Sequence, residues 1–365
     1  MLKKVLGALL LVVVLAGAGA GWYFFAATSG VPAAPSPNEP TAPRDEHFTI
    51  SWAGDTMMGW AGQKLINKKG ADHVLSELKP LLEADYTVIN LEAPVTKLER
   101  EDMPEKQRVW TYNVLPNTIS AFKRAGIDAF GLANNHAFDR GDKGLLETLQ
   151  FASDGGFDVF GVGMSRPEAE GPLLIETPHG TVGVVGFSHR GPRLRQAKDG
   201  EVGIVYLHEE QVRRSYTAAK AAGAKWVVAF PHWGINYDVV KAADMRFAEL
   251  FAEVGYDLVV GQGPHVQQPV AMFGDMPVLY SLGNFVFGTQ GRFQKDGATF
   301  DPYGLIAKTF VGPTGFERIE LRCILVDNLK VKYRPRPCSA EERADSYRKL
   351  GPGVVVQGDA AVMSF

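Results

Sequence analysis

The stretch Phe48-Thr49-Ile50-Ser51-Trp52-Ala53-Gly54-Asp55-Thr56-Met57-Met58-Gly59 begins as an apolar run and ends on a carboxylate followed by small residues. A buried strand that delivers a carboxylate at its carboxyl end is the arrangement in which α/β sheets keep their ligands. The pattern recurs down the chain. Tyr86-Thr87-Val88-Ile89-Asn90-Leu91 leads to Glu92, and Ala129-Phe130-Gly131-Leu132 leads to Ala133-Asn134-Asn135-His136. Trp226-Val227-Val228-Ala229-Phe230 leads to Pro231-His232-Trp233-Gly234, and Leu258-Val259-Val260 leads to Gly261-Gln262-Gly263-Pro264-His265. A sixth block, Ser281-Leu282-Gly283-Asn284-Phe285, closes the series.

Between these runs the spacing predicts helices over 71–83, 120–125, 209–222 and 244–254, with another fully apolar strand over 182–187. Residues 276–333 read as mostly strand, which suggests a second, more antiparallel sheet. A short charged helix follows over 340–350. The fold class is therefore α/β, without internal repeats.

Composition sets bounds on function. The 365 residues are 45% hydrophobic and 22% charged, an ordinary globular balance. A net charge of −3 provides no basic field for nucleic acid. Lys3 and Lys4 precede an uncharged apolar run over 5–27, long enough for the roughly 30 Å hydrocarbon core of a bilayer. Small-residue sites at Ala16-Gly17-Ala18 and Ala18-Gly19-Ala20 offer the rival reading of a cleaved signal, whereas Trp22 to Phe25 continue the run as an interfacial aromatic belt and favour a retained anchor. Both readings export the domain. It is expected to face outward from the plasma (inner) membrane on a single span, or to be secreted or periplasmic after cleavage. Residues 28–46 are a Pro/Ala-rich tether, 47–290 the main domain and 291–365 a β-rich extension of it. An oxidising exterior would allow Cys323 and Cys338 to pair, closing a loop of about 15 residues worth roughly 3 kcal/mol. Two separate thiols are the other reading.

Asp55 and Glu92 are candidate ligands for a divalent metal, Glu92 in a position to bridge two ions, and Asn135, His232 and His265 are neutral ligands beside them. His136 is a candidate general acid, oriented by Asp139 three residues on. Asn90, Asn134, Trp233 and Asn284 are candidate substrate contacts. Taken singly, each has a plainer reading as a helix cap, turn or solvated strand end. Six such blocks in one order are what favour a site.

The blocks Gly-Asp-Thr-Met-Met-Gly, Asn-Leu-Glu-Ala-Pro-Val-Thr, Ala-Asn-Asn-His-Ala-Phe-Asp-Arg-Gly, Pro-His-Trp-Gly, Gly-x-x-Pro-His-Val-x-Gln-Pro and Ser-Leu-Gly-Asn-Phe-Val-Phe resemble the CapA family of bacterial capsule synthesis proteins, associated with poly-γ-glutamate. The resemblance runs from about residue 47 to 290 and implies a four-layer α/β/β/α sandwich like that of calcineurin-type metallophosphoesterases, preceded by one transmembrane helix. It also implies one or two divalent ions (Mn, Zn, Fe or Mg) held at Asp55, Glu92, Asn135, His232 and His265, with His136 at the matching acid position. The chain departs from the pattern at Met57 and Gly263, where relatives can carry His, and at Ile235-Asn236-Tyr237-Asp238, where they often carry Glu.

Four readings of function follow. One is a membrane-anchored accessory of poly-γ-glutamate biosynthesis or export, working with other subunits of a capsule synthesis complex. In it Arg190, Arg193, Arg195 and Lys198 are candidate partners for the polymer's carboxylates. The second is a stand-alone metal-dependent hydrolase of a phosphoester or γ-glutamyl amide. A polymer transferase lacks a visible nucleophile, and a purely structural envelope protein leaves the polar strand ends unexplained.

Overall fold

The structure, a computed structural model, describes residues 47–102, 111–189, 191, 195–291, 293–295 and 298–365. The expected anchor and tether, and Arg190 and Arg193, lie outside the described residues. Among the described residues no helix is long and apolar enough to cross a membrane.

Two sheets carry the fold. The first runs in the order Val355–Gln357, Ala360–Ser364, Gly315–Leu325, Tyr303–Gly312, Phe48–Met57, Tyr86–Leu91, Ala129–Gly131, Asp158–Phe160. Its last four strands are parallel. The second runs Val270–Phe273, Met276–Leu279, Leu258–Val260, Trp226–His232, Val182–Ser188, Leu173–Ile175, with a parallel centre.

Strand periodicity assigns the layers. Ile50, Trp52 and Val88 of the first sheet meet Val184, Val228 and Phe230 of the second in one apolar core between the sheets. The alternate residues Ala53, Ile89 and Phe130 face outward, under side chains of the helices Ala71–Leu75, Ile119–Arg124 and Gly141–Asp154. On the far side, Val185, Val227 and Val259 pack beneath Glu209–Ala221 and Ala242–Val254. The result is the expected α/β/β/α order. Trp52, fully buried, closes its one polar valence by donating from Nε1 to Thr309 Oγ1 at 3.0 Å.

Two expectations need correction, and one helix was missed. The helix expected over 71–83 is two short ones, Ala71–Leu75 and Lys79–Leu82, because Pro80 has no N–H to give and its ring excludes the carbonyl four residues back. Apart from the small pair Gln294–Lys295 and Ala298–Thr299, the antiparallel C-terminal strands do not build a sheet of their own. Tyr303–Gly312 adds directly to the first strand, Phe48 opposite Val311, so the late hairpin extends the first sheet. The helix Gly141–Asp154 was not anticipated; it starts directly after the Asn-Asn-His block and backs it.

Cys323 and Cys338 form a disulfide that ties Gly315–Leu325 to the segment before the helix Ala340–Tyr347. That helix is started by a capping box between Ser339 and Glu342. Replacing both cysteines by serine is expected to lower stability by about 3 kcal/mol. Thermal unfolding with and without reductant checks this, and an unchanged midpoint under reduction would contradict it.

Candidate metal centre

The inward row of the strand Trp226–His232 is Trp226, Val228 and Phe230, so His232 continues it into the gap between the sheets. On the facing sheet the register between Phe48–Met57 and Tyr86–Leu91 slips at Ala53/Asp55, and Asp55 pairs with Asn90. Such a slip re-aims a side chain. It is possible because Asn284–Phe287 joins the same strand on glycine: a Cβ on Gly54 would stand 1.9 Å from Gly283 O. Glu92 follows directly on Tyr86–Leu91.

Asp55, Glu92 and His232 converge, each offering a ligand atom within 4.8 Å of the others, and all three are buried. Asp55 is well supplied with donors: Asn90 Nδ2 reaches Oδ1 at 2.7 Å, the Gly263 N–H lies 3.2 Å from both oxygens, and His265 Nδ1 stands 3.0 Å from Oδ2. Burial would raise its pKa, but the hydrogen bond and charge of His265, with His232 and Asn90, hold it below the usual range. Glu92 is the opposite case. It is 0% exposed, neither oxygen has a hydrogen-bond partner, and the nearest imidazole nitrogens, those of His232, His136 and His265, stand 3.7 to 3.8 Å away. Burial, then the charges of Asp55 and Asp139, push its carboxyl well above the ordinary value. Burial also lowers His232 to about 4, so its imidazole is neutral at physiological pH and keeps a lone pair.

A second cluster adjoins. His136 Nδ1 lies 2.6 Å from Asp139 Oδ2, which also accepts the Tyr112 N–H at 2.7 Å, and His136 Nε2 faces Glu92 Oε1 at 3.8 Å. The carboxylate thus fixes the ring with one nitrogen turned to the metal candidates.

Other expected residues take different places. Asn90, Asn134 and Asn284, the expected substrate contacts, are hydrogen-bonded within the protein. Asn134 donates to Asn90 Oδ1 and Leu91 O and accepts from the His136 N–H, while Asn284 Oδ1 lies 3.0 Å from His265 Nδ1. Trp233 does not enter the site. It follows His232 by one position, so it faces the outer helices, packing near Phe251 and donating to Tyr280 O at 2.8 Å. His265 stands outside the three-residue cluster, its Nδ1 engaged by Asp55 and Asn284. Asn135 is half-buried, with a buried Oδ1 that has no protein partner. Arg195, expected to meet polymer carboxylates, is paired with Asp142 at 2.7 Å.

Two of the three departures also have local causes. Met57 is packed in the core under the helices. At Gly263, φ is +111° and a Cβ would stand 2.5 Å from Trp233 O, so this turn accepts no side chain. Gln262 was missed: it is fully buried, it bridges to His232 in parallel register, and neither of its amide atoms has a partner. The sequence signal was a polar residue continuing the inward row of Leu258 and Val260.

These residues fit a divalent ion. A buried carboxylate with both oxygens unpartnered, an acidic neighbour and a neutral imidazole are together costly without a cation. Because Glu92 holds its proton above its ordinary pKa, metal uptake is expected to displace that proton. Affinity should therefore rise with pH above about 4.5, by up to about tenfold per unit while one proton is released. Calorimetry in buffers of different ionisation enthalpy measures the release, and pH-independent binding would contradict it.

The family described as bacterial capsule synthesis protein PGA_cap matches residues 49–289. The PGA biosynthesis protein CapA of Bacillus subtilis (strain 168) is 30% identical over 257 residues, covering 70% of this chain and 67% of the relative. The capsule biosynthesis protein CapA of Bacillus anthracis is 28% identical over 259 residues, and the match spans 70% of this chain but 63% of that protein. Among solved structures, Haemophilus influenzae NAD nucleotidase aligns over 83% of this chain and 62% of its own, with a TM-score of 0.43 at 11% identity.

Proposed function

The chain belongs to the bacterial capsule synthesis family, and from that premise we propose that it serves poly-γ-glutamate capsule biosynthesis or export, with the Asp55–Glu92–His232 centre as its working site. The single observation that carries the working site is Glu92, a buried carboxylate without a hydrogen-bond partner beside a neutral His232. The domain acts outside the cytoplasm in this account, held to the membrane by residues 5–27. The Cys323–Cys338 disulfide supports that placement, since such bonds persist in oxidising compartments. Deleting the gene should remove the capsular polymer. Wild type should restore it and Asp55→Asn should not; restoration by the variant would contradict a role for the centre.

The pair His136 and Asp139 favours a second reading, hydrolysis of a phosphoester or γ-glutamyl amide. Asp55, Glu92 and His232 would hold the ion, with His265 steadying Asp55. Once bound, a divalent ion supplies Lewis-acid polarisation of a substrate oxygen and a more acidic water. The chain's own part is positional. Asp139 accepts from His136 Nδ1–H and so orients the ring; in its doubly protonated form the second proton, on Nε2, points toward the cleavage point and is the one given to the leaving atom. The packed sheets around Glu92 exclude bulk water and strengthen each charge interaction.

A further inference from the structure

Among the described residues five other than glycine have positive φ, and three of them, Trp60 (52°), Tyr237 (52°) and His265 (62°), join one chain of ring contacts at the metal centre. Trp60 is the outermost. Its indole meets Tyr112 edge-on at 5.1 Å, and Tyr112 lies 4.4 Å from the ring of His136. Tyr112, Tyr237 and Phe287 are buried, whereas Trp60 is 41% exposed.

The backbone at Trp60 has no freedom to relax. A Cβ on Gly59 would stand 2.3 Å from Asn113 O, and one on Gly288 would stand 2.0 Å from Gly59 O, so the turn is wedged between two segments. Left-handed backbone favours glycine, and a large indole favours burial; this position offers neither advantage to tryptophan. Strain of this kind persists where a site uses the side chain it displays. The exposed indole is separated from the acid His136 by the one ring of Tyr112, and it suits a flat or C–H-rich face on a leaving group that extends outward past Tyr112.

We propose that Trp60 is a stacking platform for a neutral ring, that of a sugar or a nucleoside, carried by the leaving group of a phosphate ester. This rests on the hydrolytic reading of the centre and narrows its substrate. In the step, a water oxygen bonds to phosphorus and the bond from phosphorus to the ring-bearing oxygen breaks. That oxygen keeps the electron pair and takes the proton of His136, and the water's proton passes to solvent.

The test is calorimetric binding to the metal-loaded, full-length protein of three non-cleavable phosphonates, bearing ethyl, glucosyl and uridine groups. At least one ring-bearing analogue should bind about tenfold more tightly than the ethyl one. Which of them does so distinguishes sugar from nucleoside. Trp60→Gly should abolish the difference with no loss of metal and no fall in the unfolding midpoint, since glycine suits this φ, and Trp60→Phe should keep most of it. Equal affinity for all three ligands overturns the proposal. So does a Trp60→Gly variant that unfolds earlier yet keeps the ring preference, because Trp60 would then be a packing residue. A wild-type protein that takes up no metal overturns the hydrolytic reading beneath it as well.

Discussion

Glu92→Gln is expected to do two things that usually exclude each other: abolish metal binding and raise the stability of the metal-free protein. The carboxyl is fully buried and unpartnered, and its pKa lies well above the ordinary value. A group raised in this way contributes its full stability below about pH 4.5, where folded and unfolded chains are both protonated. As pH rises toward the folded value that stability is lost, because the unfolded chain releases a proton the folded chain retains. Glutamine has the same shape and no charge to bury. At pH 8 the variant should gain about 1–3 kcal/mol over the metal-free parent, and affinity for the ion should fall by more than about a hundredfold. Thermal unfolding in chelator, beside metal titration, reads both. A variant less stable than the metal-free parent at pH 8 would show that Glu92 has a partner or a packing role that this geometry does not contain.

His232 acts in the opposite direction. Its folded pKa of about 4 lies below the ordinary 6.5, so its contribution is complete above pH 6.5 and is lost as pH falls toward 4. The metal-free protein should therefore be squeezed from both sides, by Glu92 at high pH and by His232 at low pH.

His136→Ala is expected to reduce turnover of any hydrolysed ester or amide by about 10²–10⁴ while leaving metal content unchanged. Its Nδ1 is taken by Asp139 and it stands outside the converging group, so its removal leaves Asp55, Glu92 and His232 in place. Asp139→Asn should act through the ring, lowering kcat more than it raises KM. Loss of metal together with activity in His136→Ala would move His136 from the acid role to the ligand set.

The meeting of these candidate residues was legible in the chain because most of them follow directly on an apolar strand. Asp55, Glu92, His136, Asp139 and His232 all arrive at one place because parallel strands deliver their carboxyl ends to the same edge. The error at Trp233 was one of parity: with Trp226, Val228 and Phe230 facing inward, position 233 must face the helices. The hydrogen bonds of the asparagines were not legible, because Asn134 meets Asn90 from 44 residues away and Asn284 meets His265. No local pattern carries such a pairing. The placement of the C-terminal hairpin beside Phe48–Met57 was hidden for the same reason, since alternation fixes which face a residue takes but not which neighbour its strand finds. Trp60 gave no sign in sequence, because its meaning lies in a backbone angle.

The most direct test of the central claim is the metal content of the full-length protein, purified without chelator and then offered Mn, Zn, Fe and Mg, measured by elemental analysis beside Asp55→Ala and His232→Ala. A stoichiometric ion in the parent, lost from both folded variants, is the predicted result. A folded parent that holds no ion under any of these conditions would contradict the account.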